Sequence, residues 1–170
     1  MPGRGTGSSV VRTRPSEPRM AAHQRAVEQI KASYAELPEG APPRLAKATT
    51  NLFRFRPPAR QAKLSAKDLD QVISVDPETR TAEVQGMTTY ETLVDATLPY
   101  GLMPYVVPQL KTITLGGAVT GLGIESTSFR NGLPHESVEE MEILTGDGRV
   151  VVARPDGEHA DLFRAFPNSY

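Results

Sequence analysis

The run Thr112-Ile113-Thr114-Leu115-Gly116-Gly117-Ala118-Val119-Thr120-Gly121-Leu122-Gly123-Ile124-Glu125-Ser126 constrains this chain more than any other stretch. Four glycines fall within eight residues, directly after a β-branched segment, and no lysine lies among them. Glycine admits positive φ and lets a backbone approach a bulky group closely, so a loop of this kind can wrap a phosphate. The spacing Gly-Gly-x-x-x-Gly-x-Gly is neither the G-x-G-x-x-G dinucleotide fingerprint nor a P-loop, which ends in Gly-Lys-Ser/Thr. A glycine-rich turn packed tightly on another element is the alternative. Four glycines and two nearby hydroxyls exceed what one turn needs.

The organisation around this run is mixed α and β. With 170 residues the chain has room for one domain and a real core. Residues 1–19 are mostly Gly, Ser, Arg and Pro, and they read as a disordered tail. Residues 20–40 read as a helix and linker, because apolar residues recur at helical spacing up to Pro38-Glu39-Gly40. The remainder, 41–170, reads as the main α+β domain. Within it, residues 44–55 suggest a strand, a polar turn at Thr49-Thr50-Asn51 and a second extended piece. Residues 69–75 and 81–85 flank the turn Asp76-Pro77-Glu78-Thr79 and predict a strand pair. Thr88 and Glu91 form a capping-box pattern before an apolar run, and Gly101 is a helix stop. Residues 103–107 predict a buried strand ended by Pro108. Residues 141–145 and 149–153 flank Gly146-Asp147-Gly148, a hairpin signal.

Several function classes are excluded or weakened by composition. No cysteine occurs, so disulfides, thiol nucleophiles and cysteine metal sites are ruled out. The tail lacks an apolar signal-peptide core, and no run approaches the roughly 18 apolar residues of a membrane span. A cytoplasmic location is the default expectation. Three histidines without ligand spacing argue against a metal centre. His23 and His159 carry no assigned role, and His135 reads as a surface residue or one standing behind a ligand. Seven basic residues and no acidic one fall in 44–67, whereas 136–161 hold eight acidic residues. The basic stretch is either a solvated face or a polyanion site. Phe53 and Phe55 alternate with Arg54 and Arg56, which suits a half-buried strand better than a nucleic-acid platform, so no nucleic-acid partner is expected.

The order of these features carries a resemblance. The strand, Val-Asp-Pro-Glu turn, strand and Thr-capped helix are followed by "YGLMPYVVPQLKTITLGGAVTGLGIES", "NGLPHESVEEMEILTGDGRVV" and "DLFRAF". Together they resemble the p-cresol methylhydroxylase (PCMH) type of FAD-binding domain over residues 44–166. Thr114-Leu115-Gly116-Gly117 followed by Gly121-Leu122-Gly123-Ile124-Glu125-Ser126 is most similar to the Δ24-sterol reductase branch. The fold this implies is α+β, two α/β subdomains with FAD between them. The chain ends before the family's remaining strands and substrate or cap domain, so a truncated or partial domain is expected.

By the resemblance, Thr114 to Ser126 is the FAD-contacting segment. Thr114 offers a hydroxyl, the amides around Gly116 and Gly117 can point at the pyrophosphate, and 117–120 can open a short helix favouring anionic charge. Ala118, Val119 and Thr120 complete that helix, while Gly121 and Gly123 let backbone pass near the flavin or ribose. Ser126 and Ser128 can add hydrogen bonds, and Glu125 should turn away or pair with Arg130. Many relatives carry a glycine-rich loop with a flavin-linking histidine. Its counterpart here, Lys47-Ala48-Thr49-Thr50-Asn51-Leu52-Phe53, has neither glycine nor histidine. Non-covalent FAD is therefore implied, with 49–51 either contacting phosphate beside Lys47 or Arg54 or simply forming a turn. The implied activity is a flavin-dependent oxidoreductase. In the nearest branch, hydride from NADPH reduces a C=C bond of a sterol or other hydrophobic alkene. The wider family oxidises alcohols, sugars and lactones, and a catalytically silent nucleotide-binding fragment is a further reading. No catalytic residue is assigned, since the expected place for one lies past Tyr170.

Overall fold

The computed structural model describes residues 16–40, 43–46, 63–167 and 169. Expectations for residues 1–15, the Thr49-Thr50-Asn51 turn, the Phe/Arg alternation at 53–56 and most of the basic stretch lie outside these residues.

Helix α1, Glu17–Ala35, begins three residues before the expected start at Met20. A proline in the first turn has no helical acceptor to lose, and Glu17 complements the positive end of the helix dipole. Ala26 and Ile30 form its buried stripe. Strands β1, Arg44–Ala46, and β2, Lys63–Ser65, pair in parallel. Leu64 of β2, Ala66 and Ile30 make one core cluster, against which Tyr34, Leu69, Met87 and Leu144 pack.

Strands β3, Val72–Asp76, and β4, Thr81–Val84, pair antiparallel around the turn read from the sequence. Asp76 Oδ1 accepts from the amides of Glu78 at 2.8 Å and Thr79 at 3.3 Å, so the aspartate itself closes the turn. β3 starts at Val72 rather than at Leu69, because Leu69 turns back to donate its amide to Ala66 O.

Helix α2, Tyr90–Thr97, is capped by Thr89, whose hydroxyl accepts from Thr92 N at 3.2 Å. The expected cap, Thr88, is one residue too early. Its side chain is fully buried and donates instead to Gln71 O at 3.0 Å. A 3₁₀ turn, Leu98–Tyr100, follows, and Gly101 ends it in the left-handed region at φ 69°, as the helix-stop reading requires.

The predicted strand over 103–107 is absent. Met103 and Tyr105 are exposed, and only Val106 of this piece is fully buried. Pro104 and Pro108 withdraw two ladder donors and restrict the residues before them. The Tyr105 carbonyl serves other groups, accepting from Thr127 Oγ1 at 3.0 Å and Asn131 Nδ2 at 2.7 Å.

Helices α3, Leu115–Gly121, and α4, Ser128–Asn131, lead to a 3₁₀ turn, Pro134–Ser137. Strands β5, Met141–Leu144, and β6, Val150–Ala153, then form the predicted antiparallel hairpin. Ile143, Val151 and Ala153 are its buried face, covered by Leu162, Phe163 and Phe166 from helix α5, Ala160–Ala165, and the residue after it. The third core cluster is built from Val72, Val75, Tyr90, Leu93 and Ala118. It lies directly under the glycine segment, which makes α3 a part of the core as well as a loop over it.

Candidate cofactor site

Thr114 sets the start of α3. Its backbone is extended, its side chain is buried, and its hydroxyl accepts from Gly117 N at 3.2 Å. This N-cap satisfies one of the helix's orphan donors. Thr114→Ala should therefore lower stability by about 1 kcal/mol, and Thr114→Ser should restore most of it. Urea midpoints of the three proteins check this, and equal midpoints would show that the cap contributes nothing.

Residues flanking the caps of α2 and α3 also pair with each other. Thr89 and Thr114 form an isolated antiparallel bridge, with Tyr90 N donating to Ile113 O and Leu115 N to Thr88 O, both at 2.9 Å. One residue on, Gly116 N donates to Gly86 O at 2.8 Å. A Cβ on Gly116 would stand 2.8 Å from that same carbonyl oxygen, closer than real Cβ atoms come. Gly116 is thus needed for a backbone-on-backbone approach to Gly86.

These bonds change what the first turn of α3 can do. The amides of Leu115, Gly116 and Gly117 are already donated to Thr88, Gly86 and Thr114. The expectation that the Gly116 and Gly117 amides face a pyrophosphate does not hold in this arrangement. Ala118 and Val119 form the buried face of the helix, Leu115 packs on the core cluster, and Thr120 returns its hydroxyl to Gly116 O at 2.9 Å.

The far end of the segment is different. Gly121 has nothing within 4 Å of where a Cβ would sit, and Gly123 meets only Pro134 Cγ at 3.9 Å. Neither has positive φ, so neither backbone conformation requires glycine. Leu122 between them does adopt the left-handed region, at φ 50°, and caps α3. A glycine would serve that cap at lower strain, and the two glycines beside it serve no conformational need. Space held open on both sides of a strained residue is what a bulky ligand needs from a backbone. Ser126 is exposed, and Ile124 projects with 78% of its surface accessible.

Glu125 does not pair with Arg130, the partner its sequence neighbourhood offered. Its carboxylate accepts from Gln109 N at 3.3 Å, while the Arg130 guanidinium lies over the Phe129 ring at 5.8 Å. Ser128 Oγ holds the segment by accepting from Glu125 N at 3.0 Å. Burial, and after it the negative charge of Glu125, push the Tyr90 phenol up to about 12. The unfolded phenol titrates near ~10, so folding keeps it protonated. That contribution to stability is complete below pH ~10 and is lost as pH rises through ~12. Glu125→Gln removes the smaller cause and should move the Tyr90 titration part of the way down. Alkaline absorbance titration, with Tyr90→Phe to subtract its signal, reads the shift directly. An unmoved curve would mean that the carboxylate does not reach the ring.

His135 follows Pro134, which packs beside Gly123. Among the described residues, its Nδ1 is a buried polar atom without a hydrogen-bond partner. Sequence reasoning placed this histidine at the surface or behind a ligand, and periodicity holds no signal for such an orphaned nitrogen. Two glycines with open surroundings, the exposed Ser126 and the unpartnered imidazole nitrogen of His135 are the features at this end that a ligand can use. The loop 47–53, where a covalent link would be expected in relatives, lies outside the described residues.

Comparison with known proteins bears on the cofactor. Residues 26–154 match the FAD binding domain family. The chain is 33% identical over 109 residues to the Δ24-sterol reductase of Pisum sativum, covering 64% of this chain and 19% of that protein. It is 35% identical over 98 residues to the decaprenylphosphoryl-β-D-ribose oxidase of Mycolicibacterium smegmatis, covering 57% and 21%. Cytokinin dehydrogenase 9 of Oryza sativa is 32% identical over 83 residues, covering 49% and 16%. The chain thus spans about a fifth of the length of the curated relatives it matches. A match of this extent, with the glycine segment inside it, shows that the chain belongs to the FAD binding domain family of PCMH type.

Proposed function

We propose that this chain is the FAD-holding portion of a flavin-dependent oxidoreductase, with FAD bound non-covalently against the segment from Gly121 to Ser126. The observation that carries the reading is the pair of glycines, Gly121 and Gly123, that neither φ nor internal packing requires. When bound, FAD supplies hydride chemistry. The chain's own residues bind and orient: Thr114 fixes the start of α3, Gly116 seats it on Gly86, and Leu122 turns the backbone toward Ser126. The absence of glycine and histidine from 47–53 supports a non-covalent attachment.

The reaction proposed first is reduction of a C=C bond in a sterol or other hydrophobic alkene with hydride from NADPH. Its support is the resemblance of the Gly-Ile-Glu-Ser segment to that branch and the 33% identity to a Δ24-sterol reductase. Oxidation of an alcohol or sugar is the second reading, favoured by identity to a ribose oxidase of comparable percentage. Among the described residues, no helix is long and apolar enough to cross a membrane.

The first test is purification of the chain and titration with FAD. Flavin absorbance that co-purifies with the chain and is released on acid denaturation is expected, together with a rise in thermal midpoint on FAD addition. A colourless chain that FAD does not stabilise would overturn the cofactor site. With bound FAD, anaerobic bleaching by NADPH supports the reductase reading, and bleaching by an alcohol or sugar but not by NADPH supports the second.

A further inference from the structure

We infer that His23, on α1, is a positioning residue for the FAD segment, acting through Gln85. This rests on the cofactor reading above. His23 reaches two elements at once. Its Nε2 lies 2.9 Å from Glu142 Oε2 on β5, and its Nδ1 lies 3.0 Å from Gln85 Nε2. The side chain is only 14% exposed and Gln85 only 6%.

The roles of the atoms follow from one fixed donor. The backbone N–H of Gln71 can only donate, and it points at Gln85 Oε1 from 2.8 Å. The Gln85 carboxamide is therefore oriented with its oxygen on Gln71 and its NH₂ on His23. An NH₂ group donates, so His23 Nδ1 accepts. The ring proton then sits on Nε2 and is donated to Glu142.

Gln85 is bound to the cofactor segment by its neighbours. Gln85 N donates to Gln71 O at 3.0 Å, and Thr88 Oγ1 donates to the same carbonyl. Between them, Gly86 O accepts from Gly116 N, and Thr88 O accepts from Leu115 N. The turn that receives α3 is thus gripped from behind by a histidine on a helix more than 60 residues away in sequence. Among the described residues, Gln85 and Thr88 are two of the four buried polar side chains, and both belong to this turn. A buried amide deprived of its acceptor would reorient, and the turn would lose its register under Gly116.

Two near-isosteres separate the arms of the histidine. In His23→Asn, Oδ1 takes the place of Nδ1, so the Gln85 bond is kept and the Glu142 bond lost. In His23→Gln, Nε2 takes the place of the ring Nε2, so the Glu142 bond is kept and the Gln85 bond lost. FAD titration and amide exchange at Gly116 are measured on the wild-type chain and both variants. The expected result is wild-type affinity in His23→Asn and weakening by about tenfold in His23→Gln, the net worth of roughly one hydrogen bond. Gly116 exchange should quicken in His23→Gln alone. Affinity and exchange that follow only thermal stability in both variants, or that remain wild-type in His23→Gln, overturn the positioning role. A wild-type chain that binds no FAD overturns the cofactor reading instead, and Gly116 exchange then still decides whether His23 positions the turn.

Discussion

Gly116→Ala is expected to destabilise the chain by about 2 kcal/mol, with the loss visible as a lower urea midpoint. The methyl group would lie 2.8 Å from Gly86 O, and its next neighbours would be Gly86 C and Cα at 3.4 Å. All three are backbone atoms, so no side chain can swing aside. Relief requires α3 and the 85–88 turn to part, which lengthens the Gly116–Gly86 hydrogen bond. Alanine favours a helix over glycine by up to ~1 kcal/mol. Overpacking costs about 1–3 kcal/mol and a weakened bond about 1 more, so the unfavourable side wins. A variant as stable as wild type would show that the turn is free to shift. FAD affinity should fall with stability here, because the whole segment is displaced.

Gly121→Ala should stabilise the apoprotein and weaken the complex. The position is helical, exposed and open, so alanine should raise apo stability by up to about 1 kcal/mol. If the open space receives FAD, the same methyl should weaken binding by about tenfold or more, which corresponds to ~1.4 kcal/mol of binding free energy. Thermal midpoints without FAD and titrations with it give the two signs separately. Unchanged FAD affinity would remove Gly121 from the site. The two variants thus separate a glycine needed for internal packing from one proposed to make room for a ligand.

How legible these roles were in the sequence depends on their range. The β5–β6 hairpin was readable because Gly146-Asp147-Gly148 is a local turn signal between apolar runs. Gly101 was readable because a left-handed helix stop depends on one residue. The α2 cap was misplaced by one residue because Thr88 and Thr89 are equivalent as local caps. Only the distant Gln71 carbonyl, which binds the Thr88 hydroxyl, decides between them. The 103–107 strand failed for a similar reason. Its β-branched residues fit a strand, but Pro104 within it, Pro108 after it and its service to α4 through the Tyr105 carbonyl override that preference.

The candidate site divides in the same way. The glycine spacing and a short helix over 117–120 were visible in the sequence, but the Thr114 hydroxyl, read there as a group for the ligand, caps a helix that starts at Leu115. The use of the Gly116 amide was not, because its acceptor lies thirty residues upstream in a turn with no motif. Nor could any pattern show that Glu125 would turn to Gln109, or that His23 would meet Gln85.

The bridge between Thr89 and Thr114 gives the two helix caps a shared energetic fate. Each threonine both closes its own helix and lies in the ladder that carries the other's neighbours. Removing one cap loosens the strand-like pairing against which the second is held. Thr89→Ala and Thr114→Ala should therefore be non-additive, with a coupling energy of about 0.5 kcal/mol or more in a double-mutant cycle. The start of α2, joined to the glycine run by this pairing and by the core below it, becomes a remote control on how firmly the proposed FAD segment is held.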